Sequence, residues 1–527
     1  MSDTPTQLSD ATAALQSLKQ CVGDENVALD LQEREYYSQD YYRKGDTATA
    51  VVKPQTIEQL SKVVALATQA GLAVFPRGGG LSYSDGYLPT QTDSIIVDTS
   101  ALNRIVEVNQ QDMYVTVETG CTWADLEAVL ADTTVRPGFW GTLSGLHATV
   151  GGTISQGGAS LGSAKYGTSS ESVLAVSVVT ANGSIVSTGS AGQQFKPPFF
   201  RYYGPDMTGL FCSDCGALGI KATVTLRLER RRQYHYGLSF GYHSFEDMLQ
   251  GIAAVAREGR ATEHMSFSAE TMANFGELSY LETLKTAYRV ASTSSNPISG
   301  LMQVIKMGLA GKRFLNKTKY MSHCVIEAGN QKELQGQIAL IREVVKPYGF
   351  DLPNTVPTVI RAMPFPPPDS LSPNGQRLLP LHTILPLSKV QEFHQKLNNY
   401  LEQHKESLTK MGITHQPILG SMGTNGFLYE PVFYWSDQPQ EFHRRNTDPK
   451  IIAKASTHDN SEARKLLEEI RIDVIELMHE CSGVHMQIGK MFPFMQDRSV
   501  ESIKLLKAIK AELDPNNLMN PGALGFS

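Results

Sequence analysis

Apolar residues recur at helical spacing early in the chain, and the polar residues beside them mark both ends of a helix. Thr56 stands three residues before Gln59, the spacing of a capping box, and Gly71 stands where a left-handed residue ends a helix. The apolar face between them consists of Ile57, Leu60, Val63, Val64 and Ala67. Residues 72–75 (LAVF) are typical of a buried strand. The pattern therefore predicts a helix followed by a strand that leads into a glycine-rich loop.

Further strands and helices follow the same two periodicities. Strand-like runs are expected at 95–97, 105–108, 114–118, 173–180, 185–187 and 320–327, with a hairpin turn at Asn182-Gly183. Helices are expected at 123–130 and near 244–258, 331–346, 388–404, 460–481 and 500–513. Glycine-rich segments and short strand-like runs end near residue 232, and longer stretches of helical periodicity follow. This change predicts an α+β protein with two domains, 1–232 and 233–485, and a closing segment, 486–527.

Length, composition and charge agree with a folded protein of more than one domain. The chain has 527 residues, against about 100–200 for a typical domain. Hydrophobic residues make up 41% and charged residues 19%, which excludes the low-hydrophobicity class of disordered chains. A net charge of −6 argues against a nucleic acid as partner.

The expected location is the cytoplasm. Six cysteines in 527 residues exclude a disulfide-dense secreted scaffold, and the N-terminal sequence MSDTPTQLSD has no secretory pattern. No window approaches the ~18 apolar residues of a membrane span. Residues 301–313 (LMQVIKMGLAGKR) fit either a helix packed on protein or one lying on a membrane surface, so peripheral attachment stays open.

Two glycine-rich segments carry the strongest chemical signal. Gly78, Gly79 and Gly80 let backbone N–H groups converge, which suits a phosphate or pyrophosphate, although triple glycines also occur in plain turns. The Rossmann and P-loop glycine motifs are absent from the sequence. The second segment, 149–167, fits either backbone laid against a large flat ligand or a loop-rich corner of a sheet. Two such segments about 70 residues apart favour a large cofactor.

The order of these motifs resembles the vanillyl-alcohol-oxidase-type (PCMH-type) FAD-binding superfamily. The motifs are PRGGGxS at 76–82, ATVGGT at 148–153, KYG at 165–167, GALGI at 216–220 and LDPNNLMNPG at 513–522. The resemblance spans nearly the whole chain. It implies an FAD-dependent oxidase or dehydrogenase with an FAD-binding domain over 1–232 and an α+β cap that binds substrate over 233–485. The segment 486–527 would return to the FAD domain.

The resemblance also implies which residues contact FAD. The first glycine loop would hold the pyrophosphate, the second block would follow the ribityl chain and isoalloxazine, and Ile220 would contact the adenine side. The implied FAD-binding residues are Gly78, Gly79, Gly80, Leu81, Ser82, Thr142, Gly151, Gly152, Thr153, Gly162, Tyr166, Gly167 and Ile220. Many members bond FAD covalently to a histidine in the first loop. Leu81 stands at that place, so noncovalent FAD is predicted.

On the substrate side, residues 483–490 (GVHMQIGK) resemble the Gly-Glu-His-Gly region of the D-2-hydroxy-acid dehydrogenase branch. There the histidine takes the hydroxyl proton as hydride leaves for flavin N5, a task that suits an imidazole of pKa ~6.5. His485 is thus the candidate base and Lys490 the candidate anchor for a carboxylate or phenolate. The implied reaction oxidises the CH–OH group of an alcohol or 2-hydroxy acid. Oxygen, a quinone or a redox protein would reoxidise the flavin, and a homo-oligomer stays open.

The chain departs from the metal-dependent members of that branch. They have a glutamate where Val484 stands and a histidine-containing glycine motif where residues 420–426 (GSMGTNG) lie, so no metal site is expected. Para-substituted phenols, as in vanillyl-alcohol oxidase, are therefore the alternative substrates. The aromatic runs 199–203 (FFRYY) and 427–435 (FLYEPVFYW) fit either a pocket for a ring or core packing under strands.

Three other classes have weaker support. Cys212 and Cys215 have CxxC spacing, but no second pair follows as a zinc ribbon requires. Gly-x-Ser-x-Gly occurs at 158–162 and 237–241 without the strand–elbow–helix context of a serine hydrolase. A noncatalytic flavin-fold binding module is disfavoured by the intact glycine loops and by His485.

Overall fold

The computed structural model describes residues 4–268, 318–367 and 369–526, so the segment 301–313 lies outside the described residues. The chain divides into two compact units. Unit 1 consists of residues 1–158, 169–229 and 486–527, and unit 2 of residues 159–168 and 230–485. The sequence placed this boundary after residue 232 and kept 159–168 in the first domain, so the structure moves that short segment to unit 2.

The elements are numbered in chain order over the described residues. The helices are α1 (Thr4–Val22), α2 (Leu31–Tyr37), α3 (Ile57–Gln69), α4 (Trp123–Leu130), α5 (Val150–Gln156), α6 (Ser163–Tyr166), α7 (Met207–Leu210), α8 (Phe245–Glu258), α9 (Gln331–Val345), α10 (Thr355–Ala362), α11 (Val390–Gln403), α12 (Lys405–Lys410), α13 (Glu441–Arg445), α14 (Pro449–Ile452), α15 (Ser461–Glu480) and α16 (Val500–Leu513). The strands are β1 (Val27–Ala28), β2 (Ala50–Val52), β3 (Ala73–Arg77), β4 (Ser94–Asp98), β5 (Ile105–Asn109), β6 (Tyr114–Glu118), β7 (Val135–Pro137), β8 (Val173–Val179), β9 (Ile185–Ser187), β10 (Ile220–Arg230), β11 (Tyr234–Tyr242), β12 (Ala261–Ser268), β13 (Tyr320–Ala328), β14 (Phe350–Leu352), β15 (Arg377–Pro380), β16 (Thr383–Pro386), β17 (Thr414–Met422) and β18 (Gly426–Trp435).

Unit 1 contains two sheets. The first has the order β1-β2-β4-β3, and β2 and β3 both run parallel to β4. Helix α3 connects β2 to β3 and buries the predicted apolar face, while the Thr56 hydroxyl accepts from the Gln59 N–H at 3.2 Å. Strand β3 is an edge strand, and the C-terminal residues 518–520 pair beside it. The glycine loop therefore begins at the carboxyl end of a parallel strand, where open α/β sheets place their ligands.

The second sheet of unit 1 is antiparallel in its described pairings, with the order β5-β6-β10-β8-β9 and β7 beside β10. The predicted hairpin at Asn182-Gly183 is confirmed, because β8 and β9 pair antiparallel across it. The predicted helix 123–130 is confirmed as α4, capped by the Thr122 hydroxyl, which accepts from the Asp125 N–H at 3.1 Å.

Unit 2 is built on an antiparallel sheet of eight strands in the order β14-β11-β13-β12-β17-β18-β15, with β16 beside β18. The four long helices expected in this region are confirmed as α8, α9, α11 and α15. Helix α6 packs on β12 and β17, and the Gly423 N–H donates to the Ser163 carbonyl at 3.1 Å. These contacts are the physical reason why residues 159–168 belong to unit 2.

Part of the second glycine segment is helical, which differs from the loop-rich corner that the sequence offered, while its contact with a large flat ligand stays a prediction. Residues 150–156 form helix α5, which starts at Thr149 and ends at Gly157, a residue with φ of +61°. The Thr149 hydroxyl accepts from the Gly152 N–H at 3.1 Å. A methyl group at Gly151 would overlap the Thr119 side chain. These glycines therefore allow a helix to approach a neighbouring turn closely.

The two aromatic runs have opposite outcomes. In β18 the side chains of Phe427, Tyr429, Phe433 and Trp435 are buried, so core packing is confirmed for that run. In the run 199–203 all four aromatic residues are about half exposed or more, so core packing does not describe it. Among the described residues, no helix combines the length and apolar character that crossing a bilayer requires.

Candidate functional site

The loop after β3 packs its backbone directly on the residues that precede α5. A Cβ at Gly78 would overlap the Thr149 hydroxyl, and a Cβ at Gly79 would overlap the His147 carbonyl oxygen. Gly80 has φ of +70°, a conformation that side chains other than glycine rarely adopt. The two glycine motifs thus meet in unit 1, and residues with a Cβ would separate them.

Five successive backbone N–H groups in this loop are available to a ligand. Within the described part of the chain, the N–H groups of residues 78–82 bond to no internal acceptor. By contrast, the N–H groups of Val150 and Gly151 at the start of α5 donate to the carbonyls of Cys121 and Thr119. Unbonded N–H groups in a glycine loop form a typical anion-binding site. The first glycine loop therefore offers an anion more unbonded donors than the start of α5 does.

A buried arginine lies beside the same loop. Arg77, the last residue of β3, is 5% exposed, and its guanidinium carbon lies 4.3 Å from the Tyr37 ring centroid. The rings of Tyr36 and Tyr87 lie 5.2 and 5.4 Å away, and the Nε atom has no hydrogen-bond partner among the described residues. The guanidinium also packs against Gly80. A positive charge desolvated by three aromatic rings next to five available N–H groups favours a bound anion.

The far end of the loop is held by a carboxylate cluster. Asp40, which is buried, accepts from the N–H groups of Tyr42 and Arg43 at 2.8 Å each and from that of Asp85 at 3.1 Å. The Asp85 carboxylate is paired with Arg43, whose Nε donates at 2.8 Å. Burial and the neighbouring Asp85 charge raise the pKa of Asp40 to about 7. This cluster ties the N-terminal residues to the loop, and no sequence motif had indicated it.

Lys490 lies in unit 1 and has bonds within the fold. Its ammonium donates to the Asn520 side-chain oxygen at 2.6 Å and to the Asp85 carbonyl at 3.1 Å. The Asn520 amide in turn donates to the carbonyls of Gly86 and Cys215. Burial lowers the pKa of Lys490 to about 7, although the nearby Asp85 opposes the shift. Lys490 therefore links the C-terminal segment to the glycine loop, and its role as a substrate anchor stays a prediction.

The other implied FAD-binding residues are distributed over both units. In unit 1, Thr142 precedes α5, and Ile220 opens β10 and is 3% exposed. The Thr153 hydroxyl donates to the Thr149 carbonyl and accepts from the Trp123 indole, both at 2.9 Å, so its polar bonds are used inside the fold. Gly162, Tyr166 and Gly167 lie in the 159–168 segment of unit 2. FAD contacts at these residues stay predictions.

His485 belongs to unit 2, whereas Lys490 belongs to unit 1. Its Nδ1 is 2.8 Å from the His382 carbonyl oxygen, which can only accept, so Nδ1 carries the hydrogen. The neutral ring therefore carries its lone pair on Nε2. The Val484 backbone holds this geometry by bonding Ile384 in both directions. Burial lowers the pKa of His485 to about 3, and the neighbouring His479 ring, 5.3 Å away, acts in the same direction.

The described residues support neither a redox or zinc role for the cysteines nor a metal site. All six cysteines are free thiols, and burial raises the pKa of Cys215 to about 12. Cys215 accepts from the Gly489 N–H at 3.2 Å, so it belongs to the same link as Lys490. No group of three or more His, Cys, Asp or Glu side chains that could hold a metal occurs in the ranges that the structure describes.

The residues of unit 1 fit the diphosphate of FAD. The five available N–H groups, the absence of Cβ atoms at three of these positions and the buried Arg77 together supply donors, space and positive charge. When bound, FAD supplies an acceptor for two electrons and a proton. The residues that hold the loop (Asp40, Asp85, Arg43, Lys490 and Asn520) would fix it in a shape suited to the diphosphate.

Comparisons with known proteins identify two domains of FAD-dependent enzymes in this chain. Residues 48–189 match the model of an FAD binding domain, and residues 381–524 match the C-terminal domain of FAD linked oxidases. The chain is 23% identical to a probable mitochondrial D-lactate dehydrogenase of Danio rerio over 98% of this chain and 93% of that protein. It is 22% identical to a mitochondrial D-lactate dehydrogenase [cytochrome] of Arabidopsis thaliana over 95% and 78% of the two chains.

The fold is also similar to that of a solved flavoenzyme. The structure of p-cresol methylhydroxylase with substrate bound superposes with a TM-score of 0.70 at 16% identity, covering 98% of this chain and 97% of that one. The fold, the glycine-loop site and the two matching family models agree with one another. The chain belongs to the vanillyl-alcohol-oxidase-type FAD-binding superfamily and is an FAD-dependent oxidoreductase.

Proposed function

We propose that this protein oxidises the CH–OH group of a small 2-hydroxy acid, with D-2-hydroxy acids such as D-lactate as the first substrates to test. The observation that carries the proposal is the similarity to proteins named D-lactate dehydrogenase, which extends over 98% of this chain. FAD would be noncovalently bound, because Leu81 stands where a histidine link would form.

His485 is the proposed base. The bond from its Nδ1–H to the His382 carbonyl fixes the ring orientation and leaves Nε2 to accept the substrate hydroxyl proton. FAD, held by the first glycine loop, would accept the C–H hydride with its electron pair, and the alcohol would become a carbonyl. Because burial disfavours the charged imidazolium, the ring is neutral at cellular pH but is a weaker base than an ordinary imidazole, so we propose that a negatively charged substrate beside it stabilises the imidazolium as the proton is taken.

A phenolic alcohol is the second candidate. Val484, which is 60% exposed, stands where metal-dependent hydroxy-acid dehydrogenases have a glutamate. A chain without that ligand lacks a Lewis acid to bind the carboxylate of a hydroxy acid. A phenol has no carboxylate that needs a Lewis acid, so the residue at position 484 favours para-substituted phenols over hydroxy acids as substrates.

The test is anaerobic reduction of the purified holoprotein, followed by the flavin absorbance. D-lactate, L-lactate, glycolate and 4-hydroxybenzyl alcohol would be compared at matched concentrations. Bleaching by D-lactate, with L-lactate much slower, is the expected result. Bleaching by the phenol alone would replace the first candidate with the second, and no bleaching by any of them would contradict both.

The electron acceptor and location extend the same proposal. Oxygen, a soluble quinone and an oxidised cytochrome would be compared after the flavin has been reduced. We propose a cytoplasmic protein that passes its electrons to a quinone or a redox protein. Reoxidation by oxygen at the rate of turnover would instead make it an oxidase.

A further inference from the structure

A cluster of exposed apolar side chains lies on unit 1 between β9 and β10. Seven of the 18 exposed large hydrophobic residues of the described chain fall within 16 consecutive positions. This aromatic patch consists of Phe195, Phe199, Phe200, Tyr202, Tyr203, Met207 and Leu210. Scattered exposed apolar residues are normal on protein surfaces, but seven within one 16-residue segment, with the Phe199 and Phe200 rings 6.1 Å apart, are a concentration typical of an interaction site.

The backbone under the aromatic patch is fixed. The Ser190 N–H donates to the Phe200 carbonyl at 2.8 Å, and the Ser190 hydroxyl donates to the Pro197 carbonyl at 2.6 Å. Arg201 is paired with Asp206 at 2.9 Å and donates to the Ser170 carbonyl at 2.7 Å. A partner therefore meets a preformed surface and loses little entropy by ordering it.

One residue of the aromatic patch is unfavourable for an isolated chain. Phe195 is 99% exposed and has φ of +63°, a conformation that is rare for a bulky residue. Its side chain contributes no burial to its own fold, while its backbone carries a conformational cost. Contact with another surface would remove the ring from water, and the resulting burial would offset the conformational cost of the backbone.

The size and composition of the aromatic patch fit a protein interface. Its exposed fractions correspond to about 800 Å², taking about 200 Å² for a fully exposed large side chain. A standard interface buries about 800 Å² per partner. Aromatic residues and methionine are enriched in interface cores, where charged residues are depleted. Apart from the Arg201–Asp206 pair, Lys196 is the one charged residue in the sequence 193–210.

We propose that the aromatic patch is the self-association surface of this protein, with a second copy of the same chain as its occupant. A two-fold axis brings the same patch of both copies together, so no complementary surface elsewhere is needed. A lipid surface is a poorer fit, because peripheral binding relies on basic residues beside the apolar ones. The aromatic patch offers Lys196 alone, on a chain of net charge −6.

The test compares the holoprotein with the double variant Phe195→Ser/Tyr203→Ser. The matched control is Leu505→Ser in α16, which removes an equally exposed apolar side chain, 64% exposed like Tyr203, from outside the aromatic patch. Mass would be measured by light scattering from nanomolar to tens of micromolar protein. The wild type and the control are expected at about twice the 57.8 kDa chain mass. The double variant is expected to dissociate at concentrations at least about tenfold higher, the scale of losing interface hot spots.

Two results would overturn the proposal. The first is a monomeric wild type at all concentrations, and the second is a dimer whose dissociation is unchanged in the double variant. Flotation with phosphatidylcholine–phosphatidylglycerol vesicles separates the lipid alternative, because binding by a monomeric wild type that the double variant loses would assign the aromatic patch to membranes. Flavin absorbance per chain reports that each variant is folded.

Discussion

At the scale of single residues, the chemistry of the proposed site depends on which nitrogen of His485 carries the hydrogen. The His382 carbonyl determines this, because it can only accept, and burial then keeps the ring neutral. A histidine at its ordinary pKa of ~6.5 would lose activity as pH falls through 6. With a pKa of about 3, His485 stays unprotonated far below that point.

We therefore expect that His485 contributes no inflection to the pH dependence of flavin reduction between about pH 5 and 8, and that His485→Asn has a strong effect. The asparagine amide can still donate to the His382 carbonyl, but it has no basic nitrogen. Flavin reduction by the accepted substrate should slow by about 100-fold or more at every pH, while FAD content stays unchanged. Stopped-flow measurements of both proteins check this. An inflection near pH 6.5 that is present in the wild type and absent from the variant, or an unchanged rate in the variant, would contradict the assignment.

At the scale of elements, the contact between the first glycine loop and the residues before α5 determines whether the anion site forms. Gly79→Ala adds a Cβ where the His147 carbonyl oxygen already lies. Neither group is the end of a flexible side chain, so the loop must move away and its N–H groups lose their arrangement.

Gly79→Ala should therefore weaken FAD binding by at least about tenfold, as measured by fluorescence titration of the apoprotein. The control is Gly336→Ala in the middle of α9, where a Cβ would meet nothing within 4 Å. That change should leave FAD affinity unchanged and raise the unfolding free energy by about 0.5–1 kcal/mol through helix propensity. Equal FAD affinity in Gly79→Ala and wild type would show that the close approach does not shape the site.

The same scale shows what could be predicted from the sequence. Caps and periodicity predicted α3, α4 and α16 because those signals are local. Helix α5 was missed because glycines usually indicate loops, although Thr149 and Gly157 stand at its ends as a cap and a stop. The Arg77 ring cluster and the Asp40 carboxylate were missed for another reason. Arg77 contacts Tyr37 across 40 positions and Asp40 contacts Asp85 across 45 positions, and neither spacing nor composition indicates such contacts.

At the scale of the whole molecule, the C-terminal segment completes unit 1 from far along the chain. Lys490 bonds the Asp85 carbonyl across 405 positions of sequence, and residues 518–520 pair beside the edge strand β3. The resemblance implied that this segment returns to the FAD domain, but the buried ammonium that connects it required the structure. These contacts join the two sequence ends of unit 1.

The pKa of Lys490 makes this connection depend on pH. The native pKa is about 7, against ~10.5 in an unfolded chain, so the unfolded state binds more protons between these values. The unfolding free energy contributed by Lys490 must therefore rise as pH increases from 7 towards 10, by up to ~1.4 kcal/mol per pH unit. Lys490→Met removes this dependence. The free energy of the wild type minus that of the variant, from urea unfolding of the holoprotein, should thus increase over that range. Lys405→Met, at a side chain 68% exposed, should follow the wild type in parallel. Parallel curves for Lys490→Met and wild type would mean that the ammonium keeps its charge in the fold, and that the connection does not respond to pH.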